Sequence, residues 1–153
     1  MKIVRSKILG STPNNISPYS LLQEELWHEE DVWWRWKILV ICTMLNLTRS
    51  CQVRSVMGAF FSRFPDPAEA SDEDAQVEMS LILRHLGMHN RRARSIRTMS
   101  EGYLRGLPVD ELHGVGRYAH DSWRIFVQRE IFPDVEDKEL KNYIAWARGI
   151  IGR

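Results

Sequence analysis

Cysteine is scarce in this chain, and what is missing narrows the reading at once. Two cysteines, Cys42 and Cys51, cannot supply a four-thiolate cluster, and they lack CxxC spacing. Both lie in helix-like sequence and read as reduced, buried thiols of an intracellular protein. Net charge is nearly absent too, at +1 over 153 residues, so attraction to an acidic partner has to come from local charge distribution. Long apolar runs are also missing. The longest, Ile38 to Leu47, is interrupted by Thr43 and Asn46 and is far shorter than a membrane span. Residues 1–16 carry no apolar signal-peptide core, so secretion is not expected. No stretch alternates with period two long enough to make a strand.

What remains is helical pattern on an ordinary globular composition, 44% hydrophobic and 27% charged, sized for one domain with a real core. Leu21, Leu22 and Leu26 are spaced for one helix, and Trp36 to Leu47 is apolar nearly all round, as a central buried helix is. Thr48 or Ser50 can cap the next helix, which turns Val53, Val56, Met57, Phe60, Phe61 and Phe64 inward and is closed by Pro65. Ser71 opens another, with Val77, Leu81, Ile82 and Leu86 in phase and Gly87 as a left-handed cap. Asn90 to Tyr103, Ser122 to Arg129 and Asp137 to Trp146 complete an all-α chain without repeats.

Charge is segregated. Five Arg or Lys and no acid occur between Val32 and Pro65, and six arginines stand against Glu101 from Arg84 to Arg105. Acids collect at Glu24 to Asp31 and Asp66 to Glu78. The two basic tracts can form one phosphate-facing side, or simply solvated helix faces. Two of only nine glycines fall in the stretch LHGVGRYAHDSW, at Gly114 and Gly116, between a short helix over Pro108 to Leu112 and a second from Tyr118. A glycine pair there exposes successive backbone NH groups at a helix N-terminus, which suits a phosphate. A packed αα-corner accounts for a lone GxG equally well.

Taken with its flanks, LHGVGRYAHDSWRIF followed by FPDVEDKELKNY resembles the helix-hairpin-helix (HhH-GPD) DNA glycosylases of base-excision repair, and most of all their G/T mismatch-specific members. The similarity runs through SPYSLLQEEL, LNLT and LILRHLGMHNRRA to about Trp146, covering most of the chain. It leaves residues 1–16 as an extension before a glycosylase domain at 17–153, and His28 to Arg35 as a short insertion. The resemblance implies a two-lobed helical fold without an iron-sulfur cluster. It also implies a monomer acting on double-stranded DNA with a G·T or G·U mispair, in the nucleus or a prokaryotic nucleoid, with no membrane.

The same resemblance assigns roles. Asp137, about twenty residues past the hairpin, stabilises the oxocarbenium-like transition state of base loss and orients water; a plain helix cap is its bland reading. Tyr118 stands where bifunctional relatives such as endonuclease III carry a lysine. A phenol cannot form a Schiff base, so the enzyme is expected to leave an abasic site without lyase activity. Tyr118 and Gln23 would line the base pocket, the Gln23 amide pairing with the pyrimidine edge. Asn46, Leu47, Thr48 and Arg49, Leu86, Gly87 and Met88, and His113, Gly114, Val115, Gly116 and Arg117 would face DNA. Leu47 replaces an arginine in the nearest relatives and reads either as an apolar wedge or as core. No cofactor is implied, apart from a monovalent cation on hairpin carbonyls. His85 and His89 do not read as a metal pair, and Trp33, Trp34 and Trp36 read as packing. The rival functions are a non-catalytic DNA-binding module, a glycosylase for another damaged base, and a helical protein-interaction domain.

Overall fold

The computed structural model describes residues 21–22, 31–132 and 134–151, and every regular element among them is helical. The helices are α1 (Trp34–Leu45), α2 (Ser50–Arg63), α3 (Pro67–Ser71), α4 (Ala75–Ile82), α5 (His89–Leu104), α6 (Arg117–Phe126) and α7 (Lys138–Ile151). Short 3-10 turns at Arg84–Leu86 and Val109–Glu111 precede α5 and α6. None of these helices is long and apolar enough to cross a membrane. Residues 1–20 and Gln23 lie outside the described residues.

The apolar-all-round segment is the central helix, as expected. Trp34, Trp36, Ile38, Leu39, Val40, Ile41, Cys42 and Met44 of α1 are all buried, and α1 packs against α2, α5 and α6. Trp36 donates its ring NH to Ser100 Oγ at 2.9 Å, so its polar atom is satisfied at full burial. Helix α5 packs in turn on α3 and α4. Gly102 lets the chain fold back there, because a Cβ would stand 3.0 Å from Leu112 Cδ2 and 3.2 Å from Leu107 Cδ1.

Four local expectations are corrected. Helix α2 begins after Arg49, whose backbone NH is accepted by Gln52 Oε1 at 3.1 Å, while the Thr48 hydroxyl bonds the Met44 carbonyl instead of capping α2. The chain then turns helical at Pro67, not Ser71. Asp66 Oδ1 accepts from the Glu69 NH at 2.8 Å with proline in the first turn, a start signal that outranks Ser71. The break between α3 and α4 resets the helical phase, so Ala75 and Met79 face inward while Val77 and Leu81 are 69% and 60% exposed. Last, only Cys42 is a buried thiol; Cys51 is exposed on α2.

One cation organises the junction of α1 and α5. Arg92 is 4% exposed, and its guanidinium donates to four carbonyls: Gly87 at 2.9 Å, Thr43 at 2.8 Å, Met44 at 3.2 Å and Asn46 at 2.7 Å. It thereby closes the C-terminal end of α1, where carbonyls have no helical partner, onto the turn that starts α5. Replacing Arg92 with methionine keeps the bulk and removes every donor. The expected loss is about 3 kcal/mol or more, since several buried carbonyls go unpaired, and the midpoint should fall by about 10 °C in a thermal melt. A shift below about 2 °C would mean these carbonyls find other partners.

Candidate active site

A cleft of about 1260 Å³ opens where α1, α5, α6 and α7 begin or end. Asn46, Leu47, Thr48 and Arg49 form its wall after α1, and Met88 its wall at the head of α5. His113, Gly114, Gly116, Arg117 and Tyr118 form the wall at α6, and Asp137 reaches it from the head of α7. Positions dispersed over the chain thus share one surface. Three of the expected DNA-facing residues do not line it: Leu86 is buried in the core, Gly87 is exposed outside the lining, and Val115 packs half-buried on the core. Leu21 lines the cleft, whereas its near neighbour Gln23 lies outside the described residues.

Two apolar tips stand on the rim. Leu47 has φ +60° and is 83% exposed; Met88 has φ +49° and is 43% exposed. The left-handed region costs a non-glycine residue about 1–2 kcal/mol, and neither side chain recovers that by burial. Leu47 is therefore not core. Arg92 grips the carbonyl immediately before each tip, Asn46 and Gly87, so a single side chain fixes both strained turns.

The arginines divide into two sets. Arg49, Arg91 and Arg94 line the cleft, are exposed, and make no ion pair among the described residues. Arg91 and Arg94 lie one turn apart on α5, beside the hairpin, where Ser95 Cβ is 3.9 Å from the point a Gly114 Cβ would occupy. Three others of the two basic tracts are engaged within the protein: Arg63 binds Glu78 at 2.6 Å, Lys37 binds Asp31, and Arg97 binds Gln76 at 3.0 Å. Arg117, exposed on the cleft wall, is likewise paired within the protein. It meets Asp121 at 3.0 Å, Glu136 at 3.4 Å and the Asp134 carbonyl.

The glycines of the bend differ in their reasons. Gly114 has φ +78°, which excludes a Cβ for conformational cause. Gly116 is extended at φ −93° with open space where a Cβ would go, so nothing inside the protein demands glycine there.

Deeper in the cleft, polar groups converge on Asp137. One of its carboxylate oxygens accepts the Leu140 NH at 3.0 Å, capping α7, while the residue also lines the cleft. Cap and cleft position are the same residue's two attributes, and Glu136, which sequence pairs with Glu139 in a capping box, is bound to Arg117 instead. Burial raises the Tyr118 phenol far above its ordinary pKa, and the Asp137 charge raises it further, against a lowering by Ser122. Burial pushes the Cys42 thiol up to about 12, with Ser122 opposing and Asp137 adding to the rise. The Ser122 hydroxyl stands beside both, fully buried and without a partner at good hydrogen-bond geometry. Cys42 carries no motif that marks it in sequence, and Ser122, Arg91 and Arg94 fall in stretches singled out above without a site role of their own. The contact between α1 and α6 closes the 80-residue separation of Cys42 and Ser122, and the packing of α1 on α5 brings Arg91 and Arg94 to the same cleft.

The thiol gives a direct check. Unfolded, it titrates near 9.0 and folded near 12. The folded state therefore keeps a proton that the unfolded chain loses, and this contribution to stability is complete below pH 9 and declines as pH rises toward 12. Cys42→Ala should flatten the alkaline fall in melting temperature. At pH 8 a thiol reagent should modify Cys51 and spare Cys42; equal labelling would contradict the burial.

No family model matches the chain. Among curated proteins, a methyl-CpG-binding domain protein 4-like protein from Arabidopsis thaliana is 37% identical over 125 residues, covering 77% of this chain and 27% of the relative. A thymine/uracil-DNA glycosylase from Pyrobaculum aerophilum is 33% identical over 105 residues, covering 60% of this chain and 45% of the relative. The chain thus spans between about a quarter and a half of the length of these relatives. On this sequence similarity, the chain is related to DNA glycosylases.

Proposed function

We propose that the chain is a monofunctional DNA glycosylase that flips thymine or uracil out of a pair with guanine and hydrolyses its N-glycosidic bond, leaving an abasic site. The observation that carries this is the meeting of Asp137 and Tyr118 in one cleft whose rim bears two exposed apolar tips and three unpaired arginines. Each part has a task. Arg49, Arg91 and Arg94, with the backbone NH groups of the bend, supply sequence-independent phosphate contacts. Gly116, glycine for no internal reason, allows the phosphodiester to come close to the backbone. Leu47 and Met88 enter the base stack and fill the space left by the extruded nucleotide. Flipping costs a few kcal/mol and is cheapest at a mispair, which supplies part of the selectivity.

As the C1′–N1 bond breaks, its electron pair leaves with the base and positive charge grows on the sugar. Asp137 and Glu139 are the carboxylates among the described residues lining the cleft; Asp137, whose charge bears on both Tyr118 and Cys42, stabilises that charge and orients the water that adds to C1′. The Tyr118 phenol keeps its proton and offers a hydrogen bond and a ring face to the pyrimidine. None of the described residues lining the cleft is a lysine, which fits attack by water rather than an amine. The similarity to a thymine/uracil-DNA glycosylase supports the choice of pyrimidine. The likeness to a methyl-CpG-binding domain protein supports a nuclear setting in a eukaryotic source.

Single-turnover base release from G·T and G·U duplexes tests the reading. Asp137→Asn should slow it by about a hundredfold or more while duplex affinity is retained. Equal rates would remove Asp137 from the chemistry, and wild-type binding without any abasic product would leave a DNA-binding module. The glycines separate by stability and affinity. Gly114→Ala should cost about 1 kcal/mol of stability through its positive φ. Gly116→Ala should fold normally and weaken duplex binding at every sequence. Unchanged binding by Gly116→Ala would place the phosphate elsewhere.

A further inference from the structure

We propose that Arg117 is a positioning residue that sets Asp137 against Tyr118, and not a phosphate ligand. Its place in the bend invites the phosphate role, yet its guanidinium is already occupied on three sides. Nε donates to Asp121 Oδ2 at 3.0 Å, Nη1 lies 3.4 Å from Glu136 Oε1, and Nη2 donates to the Asp134 carbonyl. Asp121 is 2% exposed, and Arg117 is the partner that compensates its charge, so releasing Arg117 to DNA would strand a buried carboxylate. The three acceptors together hold the guanidinium cation.

The sequence positions of the clamp give it consequence. Arg117 immediately precedes Tyr118, and Glu136 immediately precedes Asp137. Tying Arg117 to Glu136 and to the Asp134 carbonyl therefore registers the first turn of α6 against the first turn of α7. The two cleft residues are the next residue along from either end of the tie. Asp137 in turn holds the NH of Leu140 through its side chain and the NH of Lys141 through its carbonyl, at 3.0 and 2.9 Å. The planar fork of arginine can engage a carboxylate on its own helix and two acceptors on the approach to another, which a lysine ammonium cannot do together.

The kinetic half of the test rests on the glycosylase reading, and the other half does not. Arg117→Gln combined with Asp121→Asn removes the clamp without leaving a buried charge. Hydrogen exchange at the Leu140 and Lys141 amides should then quicken by about tenfold. Single-turnover base release should slow by about ten- to a hundredfold, while the dependence of duplex affinity on salt keeps its slope. Arg117→Lys, which retains charge and the Asp121 pair, should show the same exchange and rate effects more weakly, and it serves if the double variant does not fold. A salt slope lowered by about one ion with the rate at saturation unchanged would make Arg117 a phosphate ligand and overturn the proposal, as would unaltered exchange. A wild type that releases no base from any duplex would sink the glycosylase reading, and the exchange measurement would still decide the clamp.

Discussion

The cleft exists because one buried guanidinium ends one helix and begins another. A helix terminus leaves carbonyls with no partner, and here three of them, from Thr43, Met44 and Asn46, converge on a cation brought from 46 to 49 residues away. The same cation takes the Gly87 carbonyl. Among the described residues no carboxylate takes part, so there the charge is balanced by dipoles, whose geometry is fixed by planarity of the fork. Strain at Leu47 and Met88 follows from this arrangement. An exposed leucine or methionine in the left-handed region relaxes unless its neighbours over-determine the backbone. Arg92 supplies that constraint at both places, which makes the two tips parts of one device.

A comparable logic operates on the far side. Arg117 is bound to acceptors on α6 and on the segment leading to α7, and the cap formed by Asp137 then fixes the first turn of α7. The site is therefore held at two seams, each closed by an arginine whose donors are spent within the protein. The other cleft arginines, Arg49, Arg91 and Arg94, make no ion pair among the described residues and can meet an anion. In sequence all five look alike. Only the count of satisfied donors separates scaffold from surface.

Sequence legibility follows the same division. The all-α class, the buried segment from Trp36 and the inward set Val53, Val56, Phe60 and Phe64 were readable because periodicity and burial report the same fact over many residues. The bend at Gly114 was readable because glycine adopts a positive φ at least cost, and the place of Asp137 on the same cleft follows a spacing that resembles a known family. Errors came where local signals compete. Ser71 reads as a helix start although Asp66-Pro67 is the stronger one, and a helical phase carried through the resulting break puts Val77 and Leu81 on the wrong face. Leu47 stayed ambiguous because hydrophobicity alone does not distinguish core from a strained exposed tip. Cys42, Ser122 and the pairing of Arg117 within the protein were not legible, since each depends on which helices and segments meet. Gln23 falls outside the described residues.

The placement of charge bears on which chemistry the cleft can favour. Unpaired positive groups stand on the rim, where a polyanion would lie, and the carboxylate stands inside among a phenol, a thiol and a hydroxyl that all hold their protons. Were the order reversed, with a cation inside, the cleft would suit an attacking anion or a departing one, not a sugar becoming positive. Neutral neighbours matter as much as the carboxylate itself. They orient toward its charge without cancelling it, and Arg92 and Arg117, which also line the cleft, are engaged by carbonyls and carboxylates of the protein. A cation that develops only in the transition state benefits from the field of the carboxylate more than the neutral ground state does, and that difference, not tight binding, is what lowers a barrier. The same neutral wall explains why Tyr118 in the place of an amine changes the outcome: it contributes a donor and a ring surface without a competing nucleophile, leaving water as the partner that Asp137 can direct.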